Sequence, residues 1–471
     1  MTMVRTITLL FIHAIPLWGQ PVEVASLNDL ASAASLSHQE IRLRPGVYRM
    51  ADYLTGTVLE AIRKDRTGKP EAERPPVPMF VFKGNGNRID CRDAVIEIDT
   101  SLYQKLPPGY TRCIIVEGRE NTITGLSIRN TGANRGSGGN ILSLAGDCTT
   151  LEDVTLHVSG SYPYGYGDLF GKGGPNLVSR QKQSGIQIIG NGSVVRRCRV
   201  YSRAFGHCFY IQDGEGIRIE DSYAEGTMRA TIDMLRETEG VACDLGFRSV
   251  YENRDGRYSI APGYVKSLVE DGFRTYGSAG RVTLVNCTAV NTRAGFEIGA
   301  PDDATENSLL ENCVARGCER AFLIGSNTVI RRGRGDIVHG PLLYLRGGRG
   351  SEVDLELTGN EPESLVHAVA TIAGEGHKVV LKRQQGEVAL PALPILIGFG
   401  MPDHGEMSSP IRPASASGII LRNEIAFLPV IESDLAEECE VQTAGREFKE
   451  QFLRGQVGTW QHSPVKTHSA K

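Results

Sequence analysis

The strongest constraint on the fold of this chain is a repeat of short apolar stretches with a recurring spacing of 23 residues. Six stretches align in one register: SGIQIIG at Ile186, CFYIQDG at Phe209, ATIDMLR at Ile232, GFRTYG at Phe273, GFEIGA at Phe296 and AFLIGS at Phe322. A second strand follows the same period, with VVRRCRV starting at Val194 and IRIEDSYA at Ile217. Because one coil of about 20 to 30 residues cannot bury its own apolar face, such coils must stack into a solenoid with a continuous core.

Alternation of side chains along a strand predicts which residues of each coil face outward. Phe209 and Ile211 occupy the apolar positions of their stretch and are expected to point into the core. The intervening positions are expected to form one outward column: Gln187, Tyr210, Asp233, Arg274 and Glu297. Gln212 is a further outward residue. His207 has inward parity but lies at the bend before the strand, where parity fails, so both directions stay open for it.

Two insertions interrupt the period, because Leu142 and Ile186 are 44 residues apart and Ile232 and Phe273 are 41 apart. Both insertions are rich in Tyr and Gly, and they flank the coils that carry the polar column, so they could wall a groove there. Exposed tyrosines that could stack on sugar rings are Tyr162, Tyr164, Tyr166, Tyr251 and Tyr258. Lys266 is a further candidate for binding a substrate.

The period and the strand texture resemble those of the right-handed parallel β-helix superfamily typified by pectate lyases, over about residues 77–429. The predicted fold is therefore all-β, a right-handed parallel β-helix solenoid with a short N-terminal helical cap and two long loop insertions. A β-propeller is the alternative, but its period is nearly double. The predicted divisions are a signal peptide (1–19), a cap and first strand region (20–76), the β-helix (77–430) and a charged tail (431–471).

The N-terminus has Arg5 followed by a mostly apolar run that is too short to span a bilayer, as in a signal peptide. We therefore expect a secreted or periplasmic protein with no membrane partner after signal removal, and a monomer. The net charge of −4 argues against nucleic acid as a partner. The ten cysteines show no CxxC pair, so buried free thiols are expected rather than disulfides.

The exported members of this superfamily commonly cleave or epimerise polysaccharides, so the resemblance implies a polysaccharide substrate. A lyase needs a group that neutralises the uronate carboxylate, a base for the proton alpha to it, and an acid for the leaving oxygen. Arg274, Arg236 and Gln187 are candidates for the first role. Tyr210, His207 or Lys266 could serve as base or acid.

Two other functions stay open at this stage. A hydrolase needs two carboxylates, for which Asp233 and Glu297 are the candidates. A non-catalytic glycan-binding or surface protein would carry a plain outer column. No firm cofactor is expected, although the stretch PDDATEN could bind calcium through Asp302, Asp303 and Glu306.

Overall fold

The computed structural model describes residues 20–132, 136, 138–171, 176–252, 257–359, 362–383, 393–400, 411–426, 428–444 and 446–449. The predicted signal peptide, 1–19, and the end of the predicted tail, 450–471, lie outside the described residues. Within the described residues no helix is long and apolar enough to cross a membrane.

The described chain coils through three ladders of parallel strands, which makes the protein a right-handed parallel β-helix. The first ladder consists of Val77–Phe82, Thr111–Val116, Gly139–Leu144, Gln183–Ile188, Phe209–Ile211, Asp271–Thr275, Ala294–Ile298, Arg320–Ile324, Leu343–Arg349, Ala370–Glu375, Ile395–Ile397, Pro429–Glu432 and Arg446–Lys449, with Ala416–Ser417 and Ala436–Glu437 at its end.

The other two ladders are joined into one sheet. The second ladder consists of Val22–Val24, Glu40–Leu43, Arg88–Asp90, Thr122–Thr124, Thr150–Glu152, Val194–Arg196, Ile217–Glu220, Val282–Val285, Ser308–Glu311, Thr328–Gly335, Glu352–Leu357, Lys378–Arg383, Ile420–Asn423 and Glu440–Thr443. The third ladder consists of Gly46–Arg49, Ala94–Asp99, Ser127–Thr131, Thr155–Val158, Arg199–Ser202, Tyr223–Glu225, Thr288–Val290 and Val314–Arg316, and it ends on the second half of Thr328–Gly335.

Helices are confined to the N-terminal cap, one corner and the second insertion. They are Leu27–Ala33, Met50–Tyr53, Gly56–Arg66, Glu71–Glu73, Thr100–Lys105, Thr231–Leu235 and Val241–Asp244. The first begins after Ser26, whose hydroxyl accepts a hydrogen bond from the Asp29 N–H, and it buries Leu27 and Leu30. Two antiparallel pairs complete the elements, Met228–Ala230 with Val265–Ser267 and Phe399–Gly400 with Arg412–Pro413.

The corner between the second and third ladders explains the repeated Asn-Cys of LVNCTAV and LENCVAR. Asn286 and Asn312 each adopt a left-handed conformation, with φ of 54° in both, and such a conformation is cheapest for Asn, Asp and Gly. The cysteines that follow, Cys287 and Cys313, are fully buried. All ten cysteines are free and seven of them are buried, in agreement with the prediction.

The predicted register of the core strands is correct except at one stretch. Ile186 pairs with Phe209, and the rings of Phe209, Phe273, Phe296 and Phe322 form a parallel stack with centroids 4.8, 5.1 and 5.2 Å apart. The assignment of Ile232 to this stack is wrong. Phe209 pairs directly with Phe273, because Ile232 lies in the short helix Thr231–Leu235 and is 40% exposed.

Three further differences from the prediction concern one strand register and the two ends of the solenoid. Val194 pairs with Arg218 rather than with Ile217, so the second ladder is shifted by one residue there. The solenoid starts earlier than residue 77, since Val22–Val24 already pairs with Glu40–Leu43. It also continues past residue 430, because Pro429–Glu432 pairs with Arg446–Lys449.

Candidate active site

Several strands of the first ladder place two consecutive residues in the core. Cys208 and Phe209 are both fully buried there, so the outward residues on either side, His207 and Tyr210, are three positions apart. In the next coil the first residue of the pair is Gly272, and a Cβ there would lie 2.7 Å from the Gly295 carbonyl oxygen. Strict alternation fails at this bend. His207 therefore points toward the insertions, and Cys208, which strict alternation would place on the outside, is buried in the core.

The bend produces two outward columns on the first ladder rather than one. The first column holds Arg112, Asn140, Ser184, His207 and Asp271. The second holds Ser143, Gln187, Tyr210, Arg274 and Glu297, which confirms four members of the predicted column. Neighbouring coils are stacked about 4.8 Å apart, so side chains from one coil and the next lie close together along each column.

His207 lies between a carboxylate and a phenol. Its Nδ1 is 2.9 Å from Asp271 Oδ2, and its Nε2 is 2.8 Å from the Tyr276 hydroxyl and 3.4 Å from Glu270 Oε2. The carboxylate of Asp271 only accepts, so Nδ1 carries the proton and Nε2 accepts from Tyr276. Burial lowers the pKa of His207, which outweighs the raising effect of Glu270 and Asp271, so the imidazole is neutral near pH 7.

Arg293 fixes the carboxylates behind this histidine. The side chain is 1% exposed; Nη2 lies 2.8 Å from Asp271 Oδ1, and Nη1 lies 3.4 Å from Glu270 Oε1. Burial alone raises the pKa of Asp271, but Arg293 and His207 hold it well below its ordinary value. Asp271 therefore stays ionised and holds the imidazole in one orientation.

A groove of about 380 Å³ lies over these two columns. Its walls are Tyr110, Arg112, Gly139, Lys182, Ser184, Gln187, His207, Tyr210, Gln212 and Tyr276. Asn140 donates hydrogen bonds of 2.8 Å to Gln187 Oε1 and to the Tyr210 hydroxyl, and Gln187 donates to Gln212 at 2.9 Å. The Tyr210 and Tyr110 hydroxyls are 2.8 Å apart. The groove is thus lined by amides and hydroxyls in one connected network.

Two cations face the groove. Lys182 is one-third exposed and its Nζ lies 2.9 Å from Glu270 Oε1. Arg112 has no carboxylate within ion-pair distance among the described residues, and its Nε is buried without a hydrogen-bond partner. An arginine in this state is suited to bind a carboxylate from a ligand.

Arg274 supports Tyr276 and is not free. Its Nη1 lies 3.0 Å from Asp271 Oδ2 and 2.6 Å from Glu297 Oε2. Its guanidinium carbon lies 4.5 Å from the centre of the Tyr276 ring. Burial raises the pKa of Tyr276 although Arg274 opposes this, so the phenol keeps its proton at neutral pH.

Two predicted catalytic residues lie away from the groove. Asp233 and Arg236 are on the helix of the second insertion, with side chains 56% and 74% exposed and a separation of 3.7 Å. The prediction that Asp233 continues the outward column is therefore wrong, and the pairing of Asp233 with Glu297 as two groove carboxylates fails with it. The physical reason is that the second insertion (226–270) starts before Ile232 rather than after it.

Several predicted binding residues are buried under the insertions instead of lining the groove. Lys266 is 1% exposed, lies 3.3 Å from Asp168 Oδ1 and contacts Glu319. Tyr166 is 7% exposed and donates a hydrogen bond of 2.7 Å to Glu237. Both residues join the two insertions to each other and to the solenoid, so the expectation that they face substrate is wrong.

The remaining tyrosines of the insertions have varied surroundings. Tyr251 is buried, with 8% exposure, which corrects its predicted exposure. Tyr164 and Tyr258 are 47% and 56% exposed, and Tyr162 is half-buried. None of these four is among the residues that line the groove over the two columns.

The stretch predicted to bind calcium makes other contacts. Asp302 accepts a hydrogen bond from Ser326, and Glu306 lies 2.5 Å from Arg281. No cluster of three metal-ligating side chains occurs in the part of the chain that the structure describes.

Sequence reasoning missed Tyr276, Asp271, Glu270, Lys182 and Arg112. Asp271 and Arg274 flank the pair Gly272–Phe273 of the stretch DGFRTY, so a pattern with two adjacent inward residues would have found Asp271 but not Tyr276. Lys182 and Glu270 are the last residues of the two insertions, before the first-ladder strands resume. Only their position at that junction distinguishes them from other surface charges.

No family model matches the chain. No curated protein matches it either. Solved structures with a similar course of the chain include a PL6 alginate lyase in complex with a trisaccharide, at 10% identity and a TM-score of 0.47, covering 93% of this chain and 88% of that one. The A-module of the mannuronan C-5 epimerase AlgE4 from Azotobacter vinelandii follows at 12% and 0.41, covering 85% and 97%.

A third similar structure is the surface protein and adhesin PfbA of Streptococcus pneumoniae, at 10% identity and a TM-score of 0.35, covering 86% of this chain and 97% of that one. The three are described as a lyase, an epimerase and an adhesin. At these TM-scores the fold assignment rests on the strand pairing of the chain itself.

Proposed function

We propose that this protein is a polysaccharide lyase that cleaves acidic, uronate-containing glycans by β-elimination in the groove over the first ladder. The observation that carries the proposal is the neutral His207 held between Asp271 and Tyr276, beside the unpaired guanidinium of Arg112. A base and a carboxylate-binding cation in one groove are the two groups that abstraction of an alpha proton requires. The proposal also places the protein outside the cytoplasm, on the basis of residues 1–19.

The groups in the groove suggest a division of roles. Arg112, with Lys182 nearby, neutralises the uronate carboxylate, which acidifies the proton at C5. The Tyr276 oxygen takes this proton while its own proton passes to His207 Nε2, and the resulting imidazolium is stabilised by Asp271 and Glu270. The bond from C4 to the glycosidic oxygen breaks as the C4–C5 double bond forms.

The leaving oxygen needs a proton, for which the Tyr110–Tyr210 pair is the best placed donor. Burial raises the pKa of both phenols, so each retains its proton at neutral pH. Tyr110 is 46% exposed, whereas Tyr210 is 4% exposed, so Tyr110 faces the ligand and Tyr210 connects it to Asn140. After product release, His207 gives its extra proton to solvent and the Tyr110 oxygen takes one up from solvent, which restores the starting protonation of all three groups.

Hydrolysis by two carboxylates is less well supported. Glu297 is engaged by Arg274, and Glu270 and Asp271 are completely buried behind His207. Asp233 lies outside the groove. No carboxylate is among the described residues that line this groove, so none is placed there to act as one of a pair flanking a glycosidic bond.

The test uses the full chain and a panel of alginate, polygalacturonate and hyaluronan. We expect one member to yield products with a new double bond that absorbs in the ultraviolet, and the Tyr276→Phe variant to lose this activity. Tyr258→Phe is the matched control, since Tyr258 is exposed and outside the groove. New reducing ends without absorbance would indicate a hydrolase, and neither signal would indicate a binding protein.

Epimerisation begins with the same proton transfer as elimination, and isotope exchange distinguishes the two reactions. In D₂O an epimerase would introduce deuterium at C5 without shortening the polymer, whereas a lyase shortens it. Deuterium uptake at constant chain length would overturn the lyase assignment.

A further inference from the structure

A second groove, larger than the one over the first ladder, lies on the third ladder. It encloses about 490 Å³ and shares no lining residue with the first groove. We call it the trough and define it by Arg129, His157, Tyr201, Arg203 and Glu225, which line it.

Four of these residues form one outward column. Arg129 pairs in register with His157, His157 with Tyr201, and Tyr201 with Glu225. At about 4.8 Å per coil this column is about 14 Å long. The imidazole of His157 stacks on the Tyr201 ring with centroids 5.1 Å apart and an interplanar angle of 13°. The trough thus offers a row of side chains along an extended direction.

The charge in the trough is only partly compensated. Glu225 is engaged by the Tyr223 hydroxyl at 2.7 Å, and Arg129 lies 3.9 Å from Glu97, which is a loose contact. Arg203 is exposed and has no ion pair among the described residues; its guanidinium carbon lies 5.6 Å from the centre of the Tyr164 ring. Burial and Arg129 lower the pKa of His157, so its ring is neutral. Arg203, which has no carboxylate partner, and Arg129, whose contact with Glu97 is loose, are therefore the positions at which the trough can bind anionic groups.

The trough is close to the first groove along the chain. The strand Arg199–Ser202 lines the trough, and the turn that starts at Arg203 leads to His207. A polymer bound in the trough would therefore lie beside the coil that carries His207.

We infer that the trough is a second binding site for an acidic oligosaccharide, separate from the site of chemistry, which holds the polymer next to the first groove. The carboxylates of the glycan pair with Arg129 and Arg203, and its sugar rings contact the His157–Tyr201 stack. The class of ligand rests on the proposed function, whereas the site itself rests on its own residues.

The test measures binding rather than cleavage, by titration calorimetry with hexasaccharides of alginate and of polygalacturonate. The background is the full chain with Tyr276→Phe, which is not expected to turn the ligand over. Adding Arg129→Ala and Arg203→Ala should weaken binding of the hexasaccharide at least tenfold and make its affinity less dependent on salt concentration. The matched control adds Arg197→Ala, at the corner after the strand Val194–Arg196, and Arg332→Ala, in the strand Thr328–Gly335; both arginines are exposed and outside the trough, so binding should change less than twofold.

Each result decides the inference. Equal affinity of the trough variant and the control, or no binding of any hexasaccharide to the background protein, overturns it. If the wild-type protein cleaves a polymer and its affinity is unchanged by the trough substitutions, only this inference fails. If no polymer is cleaved but binding depends on Arg129 and Arg203, only the proposed function fails.

Discussion

Two coils of the first ladder show how the same backbone serves different purposes. The coil of His207 and the coil of Arg320 place equivalent pairs in the core, Cys208–Phe209 in one and Ala321–Phe322 in the other. Their outward residues differ: the first coil presents His207 and Tyr210 to a groove, whereas the second buries Leu323 in a small apolar cluster with Ala294 and Tyr344.

The difference comes from what covers each coil. The two insertions end at Lys182 and Glu270, next to His207, and they bring buried charge to that part of the ladder. The coil of Arg320 instead has an apolar residue, Leu323, in its second column. The repeat therefore forms the scaffold, and the position of the insertions determines where charged side chains are buried next to the groove. The following predictions test this contrast.

The largest expected effect is on turnover by His207→Gln. Glutamine keeps a hydrogen-bonding side chain but cannot accept the proton, so we expect a loss of about 10³-fold in kcat/KM with the fold intact. The control is His339→Gln, a half-buried histidine between the coils of Phe322 and Leu343. Comparable losses of kcat/KM in both variants would show that the effect is not specific to the coil of His207.

Substitution of Arg293 should have the largest effect on stability. Arg293→Ala leaves the buried carboxylates of Asp271 and Glu270 short of a partner, which costs about 3 to 5 kcal/mol in the free energy of unfolding. Arg281→Ala removes an exposed pair with Glu306 and should cost about 0 to 1 kcal/mol. Urea denaturation measures both, and equal costs would show that the buried network does not hold the site together.

Arg274→Gln should reduce kcat about 10²-fold, because Arg274 holds the Tyr276 ring and displacement of a reacting group by about 1 Å has an effect of this size. As Arg274 contacts no open part of the groove, KM should change little. A large rise in KM with unchanged kcat would instead make Arg274 a substrate-binding residue.

The acid limb of the pH profile should lie below pH 6.5, the ordinary pKa of histidine, since burial lowers the pKa of His207. The unfolded chain takes up this proton at higher pH than the folded protein. The contribution of neutral His207 to stability is therefore complete above pH 6.5 and is lost as the pH falls through the lowered pKa. An acid limb of kcat/KM at or above pH 6.5 would contradict the assignment of His207.

The smallest effect is expected for Asp233→Ala. Asp233 is exposed on the second insertion and its contact with Arg236 is a surface ion pair, so activity should stay within about twofold of the wild type. A loss of more than tenfold in the same assay would mean that the helix Thr231–Leu235 contributes an exposed carboxylate to the reaction.

Much of the fold was predictable, and so were four of the five residues named in the second outward column. The period placed Phe209, Phe273 and Phe296 in one stack, and parity placed Tyr210 and Arg274 in one outward column, although with Asp233 between them. Ile232 was misplaced because a coincidental spacing of 23 residues matched a helix inside an insertion to the strand period. Sequence periodicity alone contains no signal that separates these two cases.

The direction of His207 shows a second limit. Simple alternation assigns it to the core, but the strand of Phe209 has two adjacent inward residues, Cys208 and Phe209. In the next two coils the first residue of this pair is Gly272 and Gly295, an arrangement that arises from the close approach of neighbouring backbones and not from any local propensity. It becomes readable in the sequence only after the coils have been stacked.

The sequence by itself determined the solenoid, because a period of apolar residues can be buried in one way only, by stacking coil on coil. The tertiary structure decided which polar residues meet. Asp271 and Arg293 are 22 residues apart in the chain, and Lys182 and Glu270 are 88 apart. Their contacts follow from how two insertions pack over the first ladder, where the low polarity of the surroundings makes each buried charge depend on a partner from another coil.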